Sequence, residues 1–462
     1  MPLEHSTLRA LKRLLGAENV AADPCRARVY GYDASVSGYP PEAVVFPVTT
    51  EQAAGVVRLA NERGFFVIPR GAGTGMTGGS VPVQGGVVLC LSRMDNILSI
   101  DAANLTADVE PGVVTGRLHR EVEKLGLFYP PDPSSSDYCT IGGNVAECAG
   151  GPRAVKYGVT RDYVLTMEAV TGAGEVLETG ARTFKGVVGF DLTRLIVGSE
   201  GTLAVATRVT LRLLPLPRAV RTVAAVFDTM KAAGRAVADI FAAGEVPRAI
   251  EFLDSGSLQC AEKAMNAGLP TDAGAVLLME VDGSPGEADR QAGALAEVCQ
   301  KSGARFTQTH PDSPEAKKLW AARKAVSPAL FAFAPHKINE DVVVPISRIP
   351  DLVEKVEALR AETGLTMVSF GHAGDGNIHF NIMLDKSDPG QARKADYVLN
   401  QVFSTVISLG GTLSGEHGVG TTKAPYLSME VSPERIRLMQ GIKKVFDPKG
   451  VLNPGKIFPF PS

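Results

Sequence analysis

"PRGAGTGMTGGS", residues 69–80, carries the spacing G-x-G-x-x-G from Gly73 to Gly78 and forces a choice between two architectures. A Rossmann-type dinucleotide fold needs that loop to open directly into a helix whose N-terminus receives the pyrophosphate. Gly78, Gly79, Pro82, Gly85 and Gly86 follow instead and forbid the helix. What remains is a long loop of exposed N–H groups led by Arg70, an anion cradle built from backbone. Just upstream, "AVVFPV" (43–48) reads as a strand, and Thr49 with Gln52 three residues on makes a capping-box helix start. Gly64 suits the helix stop, and "FFVIP" (65–69) is a second buried strand.

A second glycine-rich stretch, "PPDPSSSDYCTIGGNVAECAGG" (130–151), reads as a long irregular loop, a length uncommon inside a compact domain unless it binds something. Two anion-friendly loops in one domain suggest a large dinucleotide lying between them. "VLTMEAVTGAGEVLETG" (164–180) reads as a hairpin turning at Gly172 to Gly174, and "GTLAVATRVTLRLLP" (201–215) as a long strand. Pro215 and Pro217 close this unit. From about residue 218, Ala-rich helical patterns alternate with short strands such as "AVLLMEV" (275–281), which predicts a second α+β domain. The predicted division is 1–217, 218–409 and a C-terminal segment 410–462 that packs back on the cofactor site.

At 462 residues the chain exceeds one ordinary core. A net charge of −3 offers no electrostatic argument for nucleic acid or an anionic membrane. The 6 cysteines are scattered without a C-x-x-C pair, which argues against both a disulfide framework and a self-held iron–sulfur cluster. "MPLEHSTLRALKRLLG" lacks the apolar core of a signal peptide, and no run approaches a membrane span, so a cytoplasmic protein is expected.

"SFGHAGDGNIHFN" (369–381) places two histidines around Asp375-Gly376. With that pair as a two-residue hairpin turn, His372 faces His379 directly across the strands, and Asn381 returns to the same face. Histidine pairs are more often structural, so a third ligand matters. Glu416 of "GGTLSGEHGVG" (410–420) is the candidate, and His417 follows it. Two histidines and a carboxylate make a common catalytic zinc set with one open position, which manganese or iron also accepts. A metallohydrolase would use the same set with water in that position, but it would leave both glycine loops without a role. A non-catalytic regulator would lack one of these four residues, and all four are present.

"PRGAGTGMTGGS", "DPSSSDYCTIGGNVAECAGG", "GSEGTL", "GHAGDGNIHFN", "SGEHGVG" and "VLNPGKI" occur in this order. Together they resemble the FAD-linked D-2-hydroxy-acid dehydrogenases of the vanillyl-alcohol-oxidase flavoprotein superfamily, over nearly the whole chain. The resemblance implies an α+β protein: a two-subdomain FAD-binding domain of the vanillyl-alcohol-oxidase type, an α+β substrate (cap) domain and a C-terminal helical segment. It implies FAD contacts from Pro69, Arg70, Gly71, Ala72, Gly73, Thr74, Gly75, Thr77, Gly78 and Gly79 in the first loop. The second loop would add Pro131, Asp132, Ser136, Thr140, Ile141, Gly142, Gly143, Asn144, Ala146, Gly150 and Gly151, with Tyr157, Gly158, Glu200, Gly201, Val205 and Asn453 beyond it. Thr74 stands where members with covalent flavin often carry histidine, which implies noncovalent FAD. Glu147-Cys148 departs from the small or amide residues usual there.

The same resemblance implies a divalent metal, zinc first, held by His372, His379 and Glu416 beside the flavin. His417 is then the general base, with an imidazole's titration range suited to the task. Arg323 and Ser327, four apart on a helix and sharing a face, match the family's carboxylate contacts. Lys337 resembles a third, and Asn381 would hydrogen-bond the substrate. The expected reaction is oxidation of a D-2-hydroxy acid to the 2-keto acid, D-lactate favoured, with glycolate and D-2-hydroxyglutarate as alternatives. Lacking cluster cysteines, the chain must hand its electrons to a redox partner: an iron–sulfur subunit, an electron-transferring flavoprotein or a quinone. Such a partner would place it at the inner face of the membrane, and a homodimer is compatible with the same reading.

Overall fold

The computed structural model describes residues 3–459. Two compact units emerge: the first comprises 1–150, 159–216 and 416–462, the second 151–158 and 217–415. The excursion 151–158 therefore belongs with the later unit, and 410–415 does too, assignments that differ from the linear division expected above. Both follow from long-range packing rather than from any composition change.

In the first unit, a four-stranded sheet orders Val20–Ala21, Ala43–Val45, Val87–Cys90 and Val67–Arg70. The Val87–Cys90 strand runs parallel to both of its long neighbours. The expected helix is Thr50–Arg63, with Thr49 Oγ1 accepting from Gln52 N at 3.2 Å and Gly64 closing it in the left-handed conformation. Its Ala53, Val56, Val57 and Ala60 join Val45, Val67, Val87 and Leu89 in one apolar core. A second, antiparallel sheet orders Ile97–Asp101, Thr106–Val109, Ala204–Arg212, Val164–Thr171 and Val176–Gly180. The long strand read from the sequence is its centre, and the hairpin pairs on one side of it and ends at the edge strand Val176–Gly180.

The second unit is built on a seven-stranded antiparallel sheet. Its order is Phe306–Pro311, Ala219–Phe227, Ala275–Gly283, Ala249–Asp254, Thr366–His372, Asn377–Leu384 and His336–Val343. The helix Pro314–Ala329 covers one face through Ala322, Val326 and a core containing Val368 and Phe370. No helix among the described residues is long and apolar enough to cross a membrane.

Candidate active site

The first glycine loop has no helix, as its glycines and prolines dictate. Gly73 (φ +73°) and Gly78 (φ +81°) occupy left-handed backbone that disfavours any side chain. Among the described residues, the N–H groups of residues 71–76 donate no hydrogen bond. Gly78 N is held by Asp33 Oδ2 at 2.7 Å, and the other Asp33 oxygen takes Ser35 N and Val36 N. Asp33 thus anchors the loop's far end, a role with no sequence motif to announce it. Arg70 is not a free anion contact: it is buried, with Nη1 donating to Tyr32 O at 2.8 Å and to Ser80 Oγ at 3.2 Å. It braces the loop from behind.

The second loop contains more order than expected. Ile141–Glu147 is a short helix, because Thr140 accepts from Gly143 N and supplies the cap. A Cβ on Gly71 would strike Thr140 Oγ1, so only a glycine lets the first loop approach the capped start of the second. Three distant segments converge on the same place. Thr77 Oγ1 donates to His417 O at 3.1 Å, and Glu200 accepts Val419 N and Gly420 N at 2.7 Å each. Asn453 Nδ2 donates to Gly79 O (2.8 Å) and Glu200 O (2.6 Å), while its buried Oδ1 has no partner.

A row of unused N–H groups, a glycine approach that no side chain allows and an orphaned buried oxygen suit a large polar ligand such as FAD. Not every expected contact can be made by a side chain. Val205 and Ile141 are buried apolar residues, Val205 packing in the core with Val87 and Val170. Asn144 is occupied with Thr115 Oγ1 at 2.8 Å, and Pro131 O with the His119 ring at 2.9 Å. Gly151, Tyr157 and Gly158 fall in the second unit, where Tyr157 OH donates to Asp282 at 2.8 Å and Lys156 pairs with the same carboxylate.

Glu147 departs from the family pattern, and its setting is unusual. The residue keeps partial surface exposure, but its Oε2 is buried with no hydrogen-bond partner. Burial first, then the neighbouring Glu200 carboxylate, holds its carboxyl well above the usual range. Lys456 is pushed down to about 8 by burial, against the opposing pull of Glu200 and Asp33. An acid whose folded pKa is raised contributes stability below its unfolded pKa and loses it as pH rises through the folded value. Glu147→Gln should therefore raise Tm, by ~2–4 °C for each kcal/mol relieved, with the gap widening from pH 5 to pH 8. Thermal melts across that range that show a constant or negative difference would contradict this.

In the second unit the histidine hairpin forms with a different register. His372 pairs with Asn377, and His379 with Phe370. Ala373 to Gly376 make a longer loop because Asp375 is not left-handed, as a type I′ turn requires, and only Gly376 is (φ +82°). The rings still converge, as diagonal neighbours on one face: Nε2 to Nε2 is 3.3 Å. Glu251 lies directly opposite His372 on the adjoining strand, and Asp341 directly opposite His379 on the other side. Glu251 and Asp341 are fully buried, and no sequence motif singles them out. Asp341 accepts Asn377 Nδ2 at 2.5 Å, Ser414 Oγ at 3.2 Å and Gly415 N at 3.1 Å.

Arg323 does not face water. It stacks 4.7 Å over the Phe370 ring and grips Glu251 Oε2 through Nε (2.7 Å) and Nη2 (2.5 Å). Lys337 Nζ donates to Ser327 Oγ at 2.8 Å, and burial lowers its pKa. Asn381 is fully buried: Oδ1 accepts from Asn339, and Nδ2 donates to Val368 O and His379 O. It ties three strands together. In the first unit, Glu416 Oε2 lies 3.0 Å from where a Gly150 Cβ would stand, and Glu416 Oε1 is 3.9 Å from His417 Nε2. The paired Nε2 atoms of His372 and His379 are a donor set that fits a divalent ion.

Two family profiles match the chain, "FAD binding domain" over residues 41–180 and "FAD linked oxidases, C-terminal domain" over 216–457. The chain is 42% identical to the glycolate oxidase subunit GlcD of Bacillus subtilis, covering 97% of this chain and 96% of that one. It is 38% identical to a D-lactate dehydrogenase of Anaerostipes hadrus, covering 90% and 89%. Among solved structures, p-cresol methylhydroxylase matches with a TM-score of 0.83 at 19% identity, over 98% of this chain and 96% of that one. A 4-ethylphenol oxidase from Gulosibacter chungangensis matches with 0.79 at 20% identity, over 98% and 97%.

Proposed function

This chain belongs to the FAD-linked oxidases, as an FAD-dependent oxidoreductase of the glycolate oxidase/D-lactate dehydrogenase type, and from that premise we propose that it oxidises a small D-2-hydroxy acid, D-lactate first. The observation that carries the reading is the sheet face in the second unit, where Glu251, His372, His379 and Asp341 stand on four adjacent strands with Arg323 above them. FAD, when bound, accepts the hydride lost from Cα, and a divalent ion, when bound, polarises the hydroxyl.

The chain's own residues do the rest. His372 and His379 offer their Nε2 atoms to the ion. Glu416 is the proposed third ligand: it is the next residue after Gly415, whose N–H is anchored on Asp341 beside His379. His417 takes the hydroxyl proton. Arg323 holds the substrate carboxylate through Nη1, which makes no hydrogen bond among the described residues, and Lys337 adds a second donor on the same strand as Asp341. Thr74 in place of a histidine supports dissociable FAD. Electrons leave through a separate redox protein, in line with the subunit status in the name of the Bacillus subtilis relative.

Anaerobic mixing of the FAD-loaded protein with D- and L-lactate, glycolate and D-2-hydroxyglutarate tests this. Flavin bleaching should be fastest with D-lactate, and steady turnover should need a dye rather than NAD. Bleaching by none of the four acids, or rapid turnover with NAD alone, would overturn the reading.

A further inference from the structure

The Glu251 carboxylate has no exposure and lies opposite His372 in the sheet register. Its Oε1 is 2.5 Å from His372 Nδ1, and its Oε2 takes both Nε and Nη2 of Arg323. We propose that Glu251 is a positioning residue that sets the tautomer of His372 and the orientation of Arg323 with one carboxylate; its consequence for metal affinity rests on the metal reading above.

A carboxylate paired with arginine is ionised and can only accept. His372 Nδ1 must therefore carry the proton, which leaves the lone pair on Nε2, the atom 3.3 Å from His379 Nε2. Metal-ligating histidines usually donate their other N–H to such a partner, which fixes ring orientation and raises ligand basicity. The second oxygen works on Arg323. By gripping its Nε–Nη2 edge, Glu251 fixes the plane of the guanidinium and leaves Nη1 as the group without a hydrogen bond. One buried residue thus couples the two halves of a chelating site, the histidine that faces the ion and the arginine that faces the substrate carboxylate, although its own carboxylate is spent on those two side chains. A glutamine could not replace it, since an amide has one accepting oxygen for these two donors.

Two measurements test the proposal. In metal-stripped, FAD-loaded wild-type protein labelled with ¹⁵N-histidine, the His372 resonances, assigned by their loss in His372→Gln, should show a protonated Nδ1 and an unprotonated Nε2. The opposite tautomer overturns the proposal, and this experiment needs no Glu251 variant to fold. In FAD-loaded Glu251→Gln, zinc affinity measured by competition with a chelator should fall ~10–100-fold at unchanged FAD content. Wild-type affinity in that variant also overturns it. If wild-type protein itself binds no divalent ion tightly, the metal reading falls, and the tautomer measurement still decides what Glu251 does.

Discussion

His417→Ala is expected to slow flavin reduction by D-lactate ~10²- to 10⁴-fold, the range of a lost general base, while FAD remains bound. The substitution removes only the imidazole. The loop's backbone anchors are elsewhere: His417 O accepts from Thr77, and the following Val419 and Gly420 N–H groups rest on Glu200. Stopped-flow reduction and elemental analysis on the same sample separate the roles. If the divalent ion disappears together with the rate, His417 is a ligand and the division of labour with Glu416 is wrong. If the rate falls less than tenfold with the ion retained, another group takes the proton.

Arg323→Ala should lower stability by about 3–5 kcal/mol, because it strands the Glu251 carboxylate, buried and without its counter-ion. It also removes a cation stacked on Phe370. Denaturant unfolding reads these losses together, and an increase in the substrate concentration needed for half-maximal flavin reduction reads the loss of the proposed carboxylate contact. The double change Arg323→Met with Glu251→Met separates them. Replacing both charges by apolar chains of similar volume should recover most of the stability but none of the substrate affinity. A single Arg323→Ala with wild-type stability would mean that solvent or another cation reaches Glu251.

How much of this was readable beforehand depended on the range over which each feature is encoded. The refusal of "GTGMTG" to enter a helix, the Thr49 cap, the Gly64 stop and the hairpin around Gly174 are decided within a few residues, and all are present. The short helix Ile141–Glu147 was missed because two glycines within it masked a cap at Thr140. The hairpin of His372 and His379 was foreseen with the wrong turn. One residue, Asp375, declining a left-handed conformation lengthens the loop and changes the pairing, yet a shift of two positions keeps the same side chains on the same face.

Arg323 shows the opposite case. Its spacing from Ser327 was visible, but whether that helix face meets water or a buried acid lies in a strand more than seventy positions away. The sequence by itself determined the order of the glycine motifs, the class of cofactor they suit and the identity of the histidines, since these rest on local backbone preferences and side-chain chemistry. Only the tertiary structure decided that Glu251 meets His372 and Arg323, that Asp341 lies opposite His379, that Asp33 and Asn453 brace the first loop, and that Glu200 holds Val419 and Gly420. Those pairings come from strand register and burial over long separations, where an isolated acid pays a desolvation cost that only a partner brought by the fold can offset.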